Sequence, residues 1–222
     1  MDATAVKIGG SLALYPEKLR ELCTKLNELS KTHKLIVVPG GGEFADLARD
    51  YDKRFNLSGK ASHQIAILGM DQYGLVLSDL ISNSCLVNKL EKVQKLLELS
   101  KLPVFLPSDF MLNSDPLANS WDVTSDSITI CVARQLSVRK VVLVTDVDGI
   151  FTGDPKKCSD AKLNKRLFAK ELLTMEKRTS VDKVLARLLL QFQIECFVVN
   201  GLYPERVEAI LNKQETVCTL IT

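Results

Sequence analysis

Net charge of either sign is nearly absent from this chain: 29 lysines and arginines face 27 aspartates and glutamates, leaving +2 over 222 residues. Nucleic-acid binding draws on clustered basic charge, which this balance does not supply, so no nucleic-acid partner is expected. Long apolar runs are missing too. No stretch approaches the roughly 20 residues needed to span a bilayer, and the opening MDATAVKIGG enters a strand-like pattern without a secretory leader. A cytoplasmic protein without membrane contact is expected. Cysteine occurs six times, at Cys23, Cys85, Cys131, Cys158, Cys196 and Cys218, but never as a CxxC pair. Neither a zinc site nor a disulfide framework is indicated, and the thiols are expected to serve as small buried hydrophobes. Repeats and low-complexity tracts are also lacking, which removes solenoids and arrays. Tryptophan occurs once, at Trp121, and histidine only at His33 and His63.

What remains is the composition of an ordinary globular domain, 46% hydrophobic and 25% charged. The length suits one α/β domain over residues 1–222, or two small lobes sharing one sheet. Short apolar, β-branched runs predict strands at Ala3 to Ile8, Leu35 to Val38, Pro103 to Leu106, Lys140 to Thr145, Cys196 to Val199 and Val217 to Ile221. Helical periodicity predicts helices from Pro16, through Leu19, Leu22, Leu26 and Leu29, to the polar run at Ser30. Further helices are predicted at Glu43 to Phe55, Ser62 to Ile81 in spite of Gly69 and Gly74, Asn88 to Leu99, Val181 to Phe192 and Pro204 to Leu211. Another starts near Thr124 or Ser125, either of which can cap it, and turns Ile128, Cys131, Val132 and Leu136 inward. Pro107 to Ser120 is expected to be a polar loop. Strands alternating with helices imply a largely parallel sheet covered on both faces.

In such sheets ligands bind beyond the carboxyl ends of the strands, and four of those ends are chemically distinctive. KIGGS places Lys7 at a strand end, with Gly9 and Gly10 letting backbone amides approach an anion closely. PGGGEF offers a second such cradle in Gly40, Gly41 and Gly42. WDVTSDSI puts Asp122 and Asp126 at a helix start, and TDVDGIFTGDP crowds Thr145, Asp146, Asp148 and Asp154 around Gly149. Taken singly, KIGGS reads more often as a turn and the last motif equally as a polar turn with Gly149 at positive φ, but two cradles on neighbouring strands are hard to explain by turns alone. Together, a buried lysine, two glycine cradles and a carboxylate at a helix start suit phosphoryl transfer, which needs placed cations and amides more than a covalent nucleophile.

These motifs, in this order and with the closing VVNG, resemble the amino acid kinase family over nearly the whole chain. That family includes carbamate, acetylglutamate, aspartate and uridylate kinases and isopentenyl phosphate kinase. WDVTSDSI, SHQIAILGMDQYG and FVVNGLYPERVEAIL look most like its branch acting on [5-(aminomethyl)furan-3-yl]methyl phosphate in methanofuran biosynthesis, which makes a diphosphate from a phosphomonoester. The resemblance implies a three-layer αβα sandwich of the carbamate kinase type, with an acceptor lobe over about residues 1–120 and a nucleotide lobe over about 121–222. It also implies ATP and Mg²⁺ as cofactors, with Mg²⁺ held mainly by the ATP phosphates, a small phosphorylated substrate, and a homo-oligomer.

Carried over by residue, Lys7 would neutralise the transferring phosphoryl group, Gly9 and Gly10 would donate amides to ATP, and Gly40, Gly41 and Gly42 would cradle the acceptor phosphate. Asp126 would orient the lysines and the metal-phosphate assembly. Thr145, Asp146, Asp148, Gly149, Phe151 and Asp154 would form the nucleotide loop. Asp122 stands where acetylglutamate kinases carry an asparagine, and is a candidate to recognise a cationic amine on the substrate. KRTSVDKVL replaces the acetylglutamate-kinase GGM region and is closer to the uridylate kinase type; Lys183 is there either a second catalytic lysine or a solvated one. His63 either touches substrate or caps a helix, Arg54 and Lys60 either neutralise acceptor phosphate or face solvent, and Trp121 either walls the acceptor pocket or belongs to the core. Two alternatives stay open: a uridylate or other small phosphomonoester kinase, and a nucleotide-binding storage or regulatory protein related to molybdenum storage subunits.

Overall fold

A computed structural model describes residues 2–114, 116–153, 158, 160–174 and 180–222. Asp154 lies outside the described residues, as does the side chain of Lys183. In chain order the elements are β1 (Thr4–Ile8), a 3-10 turn (Gly10–Leu14), α1 (Pro16–Leu29), β2 (Leu35–Pro39), α2 (Gly42–Phe55), α3 (Gly59–Leu80) and β3 (Ser84–Val87). Next come α4 (Leu90–Glu98), β4 (Leu102–Phe105), α5 (Ser108–Ser114), α6 (Ser125–Gln135), β5 (Lys140–Thr145), β6 (Arg166–Leu167) and α7 (Ala169–Thr174). The chain closes with α8 (Lys183–Phe192), β7 (Glu195–Asn200), α9 (Pro204–Leu211) and β8 (Cys218–Ile221). The stretch expected to be a polar loop, Pro107 to Ser120, contains α5, and β3, β6 and α7 are additions to the sequence reading.

The eight strands form one sheet in the order β3-β4-β2-β1-β5-β7-β8-β6. Every pairing is parallel except β7 with β8, which is antiparallel. The side-chain period of two divides the core into two layers. Val6 and Ile8 of β1, with Val142 and Val144 of β5, pack on α1 and α9 through Leu19, Leu22, Leu26, Val207 and Ile210. Ala5, Ile36, Val38, Val141 and Leu143 face the opposite way, onto α6 and α8 through Ile128, Val132, Leu185 and Leu189. The layers are helix, sheet, helix. Helix α3 serves both, with Ile67 and Met70 in one layer and Tyr73 and Leu77 in the other. The six cysteines are free. Among the described residues no helix is long and apolar enough to cross a membrane.

Candidate active site

Strand β1 lies between β2 and β5, which the chain reaches in opposite directions, so the sheet reverses its winding here. Such a switch point opens a crevice at the carboxyl ends of the strands. A cleft of about 890 Å³ occupies it, lined by Lys7 of β1 and Gly10 after it, Gly41 and Gly42 after β2, and Thr145 at the end of β5.

The alternation along β1 sends Lys7 to the same side as Ala5, toward α6. There Lys7 Nζ lies 2.8 Å from Asp126 Oδ1, the two side chains being 11% and 9% exposed. A buried ion is tolerated when it is paired, and this pair supplies each charge with its partner at the floor of the cleft. Thr124 caps α6, its Oγ1 accepting from Asp126 N at 3.2 Å, which resolves the choice between Thr124 and Ser125.

The two glycine turns divide their labour. Gly9 N donates to Val144 O at 2.7 Å and Gly40 N donates to Ile8 O at 2.8 Å, so both continue the parallel ladder one residue beyond the strands. The N–H groups of Gly9 and Gly40 are thus spent on the sheet, while Gly9, Gly10, Gly41 and Gly42 line the cleft and Gly40 stands behind them. Gly9 O in turn accepts from Leu12 N at 3.2 Å and from the buried Tyr73 hydroxyl at 3.4 Å. In a trans peptide the carbonyl and the following N–H point oppositely, so anchoring Gly9 O fixes the direction of Gly10 N–H. The two turns touch: a Cβ on Gly10 would come within 2.1 Å of Gly42 Cα and N.

Asp182, absent from the sequence reading, proves central. Its Oδ2 accepts from Thr124 N at 3.1 Å, Thr124 Oγ1 at 2.7 Å and Ser127 N at 3.1 Å, and its Oδ1 from Ser127 Oγ and from Leu185 N at 2.7 Å. Burial raises the Asp182 pKa and the neighbouring Asp126 charge adds to that, outweighing the hydrogen bonds that pull it down. The nearby thiols are inert. Burial pushes Cys131 up to about 11 and Cys196 well above its ordinary value, so neither offers a thiolate at neutral pH.

On the β2 side, Trp121 Nε1 donates to Asp52 Oδ2 at 2.7 Å, tying the segment before α6 to α2. The Arg49 guanidinium stands 4.9 Å from the Trp121 ring centroid and meets Asp46 Oδ1 at 2.6 Å. Trp121, Asp122, Glu43, Asp46, Arg49 and His63 all line the cleft. Trp121 is thus part of the wall rather than the core, and His63 lies buried against it within α3. Arg54 is placed elsewhere, its guanidinium 5.8 Å from the Tyr51 ring centroid and outside the cleft lining, and Lys60 is exposed at the head of α3. Among the described residues, Arg49 is the arginine in the cleft lining.

After β5, Asp146 Oδ1 accepts from Ser11 Oγ at 2.9 Å, joining this loop to the first glycine turn. Asp148 Oδ1 accepts from Asn200 Nδ2 at 2.9 Å and Arg206 Nη1 at 2.6 Å. Burial alone would raise the Asp148 pKa, but these hydrogen bonds and the guanidinium charge outweigh it and hold the carboxyl below its ordinary range. Gly149 has φ +150°, and a Cβ there would meet Thr219 Oγ1 at 2.4 Å, while Phe151 bridges to Leu163. Asp148, Gly149 and Phe151 build the frame of the loop, and among its described residues Thr145 lines the cleft.

The amino acid kinase family model matches residues 2–200. The chain is 38% identical over 218 residues to the [5-(aminomethyl)furan-3-yl]methyl phosphate kinase of Methanocaldococcus jannaschii, covering 97% of this chain and 96% of that one. It is 24% identical over 209 residues to the uridylate kinase of Pyrococcus abyssi, covering 87% and 88%. Among solved structures, the uridylate kinase of Archaeoglobus fulgidus superposes with a TM-score of 0.80 at 20% identity, covering 99% of this chain and 100% of that one. UMP kinase from Ureaplasma parvum gives 0.80 at 17% identity, covering 100% and 98%; both show the same fold.

Proposed function

The chain belongs to the amino acid kinase family, and from that premise we propose that it transfers the γ-phosphoryl group of ATP to the phosphate of a small phosphomonoester, making a diphosphate and ADP. The observation that carries this reading is the buried Lys7–Asp126 pair at the sheet's switch point, set between two glycine turns in one cleft. An acceptor phosphate oxygen attacks the γ-phosphorus, the bond to the β–γ bridging oxygen breaks, and ADP leaves with that oxygen. Charge moves during this step rather than covalent bonds to the protein, so a fixed cation and aimed amides are what lower the barrier. Lys7 meets the moving charge, Asp126 holds Lys7 in place, and Gly10 presents its amide to the donor phosphates. Gly41 and Gly42 cradle the acceptor phosphate. Residues 1–120 form the acceptor half of the domain and 121–222 the nucleotide half, with Thr145 and the loop after it along the nucleotide. Lys183, the first residue of α8, remains a candidate for the second lysine.

Mg²⁺ accompanies ATP in this reading. Among the described residues no three His, Cys, Asp or Glu side chains cluster to hold a metal ion, which fits a hard cation held mainly by the ATP phosphates and its own waters, with the Asp126 carboxylate in the same cleft. When bound, the ion would withdraw charge from the β and γ phosphates.

For the acceptor, [5-(aminomethyl)furan-3-yl]methyl phosphate is favoured over UMP by the 38% identity to the archaeal enzyme named for it. The carboxylates of the β2 side support it: among the described residues, Glu43, Asp46 and Asp122 line the cleft beside Arg49, surroundings suited to a substrate that carries an ammonium as well as a phosphate. Trp121 offers a flat wall for a small aromatic ring.

A homo-oligomer is part of the same reading. Phe44, Leu47, Tyr51 and Phe55 form an exposed stripe along α2, and Leu68, Leu75 and Val76 are exposed on α3, which packs against it. A large exposed apolar patch of this kind marks an interaction surface. The test of the whole proposal is ADP release across a panel of phosphorylated acceptors. Oxyanion binding in fixed stoichiometry without turnover would favour a storage protein, and equal efficiency with UMP would favour a uridylate kinase.

A further inference from the structure

One carboxylate serves the first turns of two helices. Residue Asp182 is the N-cap of α8, accepting from Leu185 N, the third residue of that helix. Ordinary capping asks no more than this, and serine, threonine or asparagine supplies it as well. The other four hydrogen bonds that Asp182 receives come from α6 and its cap, from the backbone and hydroxyl of both Thr124 and Ser127. Those two residues flank Asp126 in the same turn. Thr124 Oγ1 is itself the acceptor for Asp126 N, so its hydroxyl hydrogen is turned onto Asp182 and its lone pair onto the backbone of Asp126. Two positive helix ends converge on a single negative group, and both Asp126 and Asp182 line the cleft.

We propose that Asp182 is a positioning residue for phosphoryl transfer: it sets the first turn of α6, and with it the Asp126 carboxylate, at the height that holds Lys7 on the transferring group. The inference rests on the kinase reading above. It requires a carboxylate in particular. Five donors converge on its two oxygens, so an asparagine would turn its own N–H donors against some of them and let the turn shift. Lys183 begins α8 directly after Asp182, so the same anchor sets where the head of that helix stands relative to Asp126.

The experiment is a double-mutant cycle in the full-length protein with ATP and the acceptor found in the panel. Asp182→Asn is expected to lower kcat about 30-fold or more while leaving both KM values within about 3-fold, since the lost interaction acts on the transition state. In an Asp126→Asn background the same change should cost less than about 3-fold further, because its target is already gone. The same proportional loss in both backgrounds would overturn the inference. Should Asp182→Asn fail to fold, Ser127→Ala keeps the α8 cap and removes one bond to α6; it should still fold, with Tm lower by about 3–12 °C, and lower kcat about 3- to 10-fold when assayed well below that Tm, again only when Asp126 is present. Unchanged kcat in Ser127→Ala would also overturn it. If the wild-type chain turns over no phosphomonoester, the kinase reading fails by itself. The positioning claim is then read from crystal structures: it stands if the 2.8 Å contact of Lys7 with Asp126 is parted in Asp182→Asn, and falls if the pair is intact.

Discussion

Replacing Lys7 with methionine separates what the buried pair does for stability from what it does for catalysis. Lys7 is 9% exposed and Asp126 6% exposed, so Lys7→Met leaves the Asp126 carboxylate without its cation, beside the second carboxylate of Asp182. Stranding one partner of a buried ion pair costs about 3–5 kcal/mol. A chain of this length loses about 2–4 °C of Tm per kcal/mol, so the melting temperature should fall by about 6–20 °C. Turnover should fall independently, by about 100- to 1,000-fold, the usual loss when one group that stabilises transition-state charge is removed. The double variant Lys7→Met with Asp126→Leu fills the space with apolar atoms, an exchange that is often neutral for stability. Its Tm should return most of the way, and its turnover should not return at all. Calorimetry and a coupled ADP-release assay below both melting temperatures measure the two effects. If Lys7→Met keeps turnover within about 3-fold of wild type, Lys7 has no part in the mechanism and the assignment of the cleft collapses with it.

Asp122→Asn should shrink the preference for an aminomethylfuran phosphate over its hydroxymethyl analogue, put at about 10- to 100-fold in kcat/KM from a charge-assisted hydrogen bond of about 1.5–3 kcal/mol; an intact preference would clear Asp122 of the role. Arg206→Gln tests the loop frame through pH. Because Asp148 titrates below its ordinary range in the folded state, its contribution to stability is full above the unfolded carboxylate pKa and is lost as pH falls through the depressed folded value. The variant should therefore lose stability at neutral pH and show a shallower acid decline of Tm, and parallel Tm curves would refute the linkage. Leu47→Glu, on the exposed stripe of α2, should convert the proposed homo-oligomer to monomers in sedimentation experiments without lowering monomer Tm; a monomeric wild type would refute the oligomer, and an unchanged assembly would move the interface elsewhere.

The sequence made legible whatever is local. Lys140 to Thr145 and Pro204 to Leu211 fall where apolar runs, and in the second case a proline at the helix start, placed them. Lys7, the glycine turns and Asp126 are also local signals, since each sits where a strand ends or a helix begins. What depends on partners far along the chain was invisible. Helix α5 has its first residue, Ser108, held by Asp71, 37 positions earlier, so its polar sequence reads as a loop. Strand β3 has only one buried side chain in four, and β6 has two residues, too little for a period to show. Gly69 and Gly74 weaken the helical pattern predicted across them, yet they are contact points: a Cβ would meet Phe44 C and Ala45 N at 3.1 Å in the first case and Leu106 Cδ2 at 2.5 Å in the second. Asp182 finds its α6 partners 55 and 58 residues away, and Trp121 finds Asp52 across 69. An aspartate just before a helix reads as a cap, as Asp182 is, while its second set of bonds exists only in three dimensions.

Phosphorus NMR of the wild-type reaction addresses the central claim, that this cleft joins phosphate to phosphate. With ATP, Mg²⁺ and [5-(aminomethyl)furan-3-yl]methyl phosphate, the acceptor's phosphomonoester resonance should give way to the coupled pair of a diphosphate, with ADP formed in equal amount. With UMP in its place, the same conversion should be slower by roughly 10- to 100-fold in kcat/KM. An acceptor resonance that stays unchanged for every phosphomonoester while ATP remains bound and intact would contradict the account.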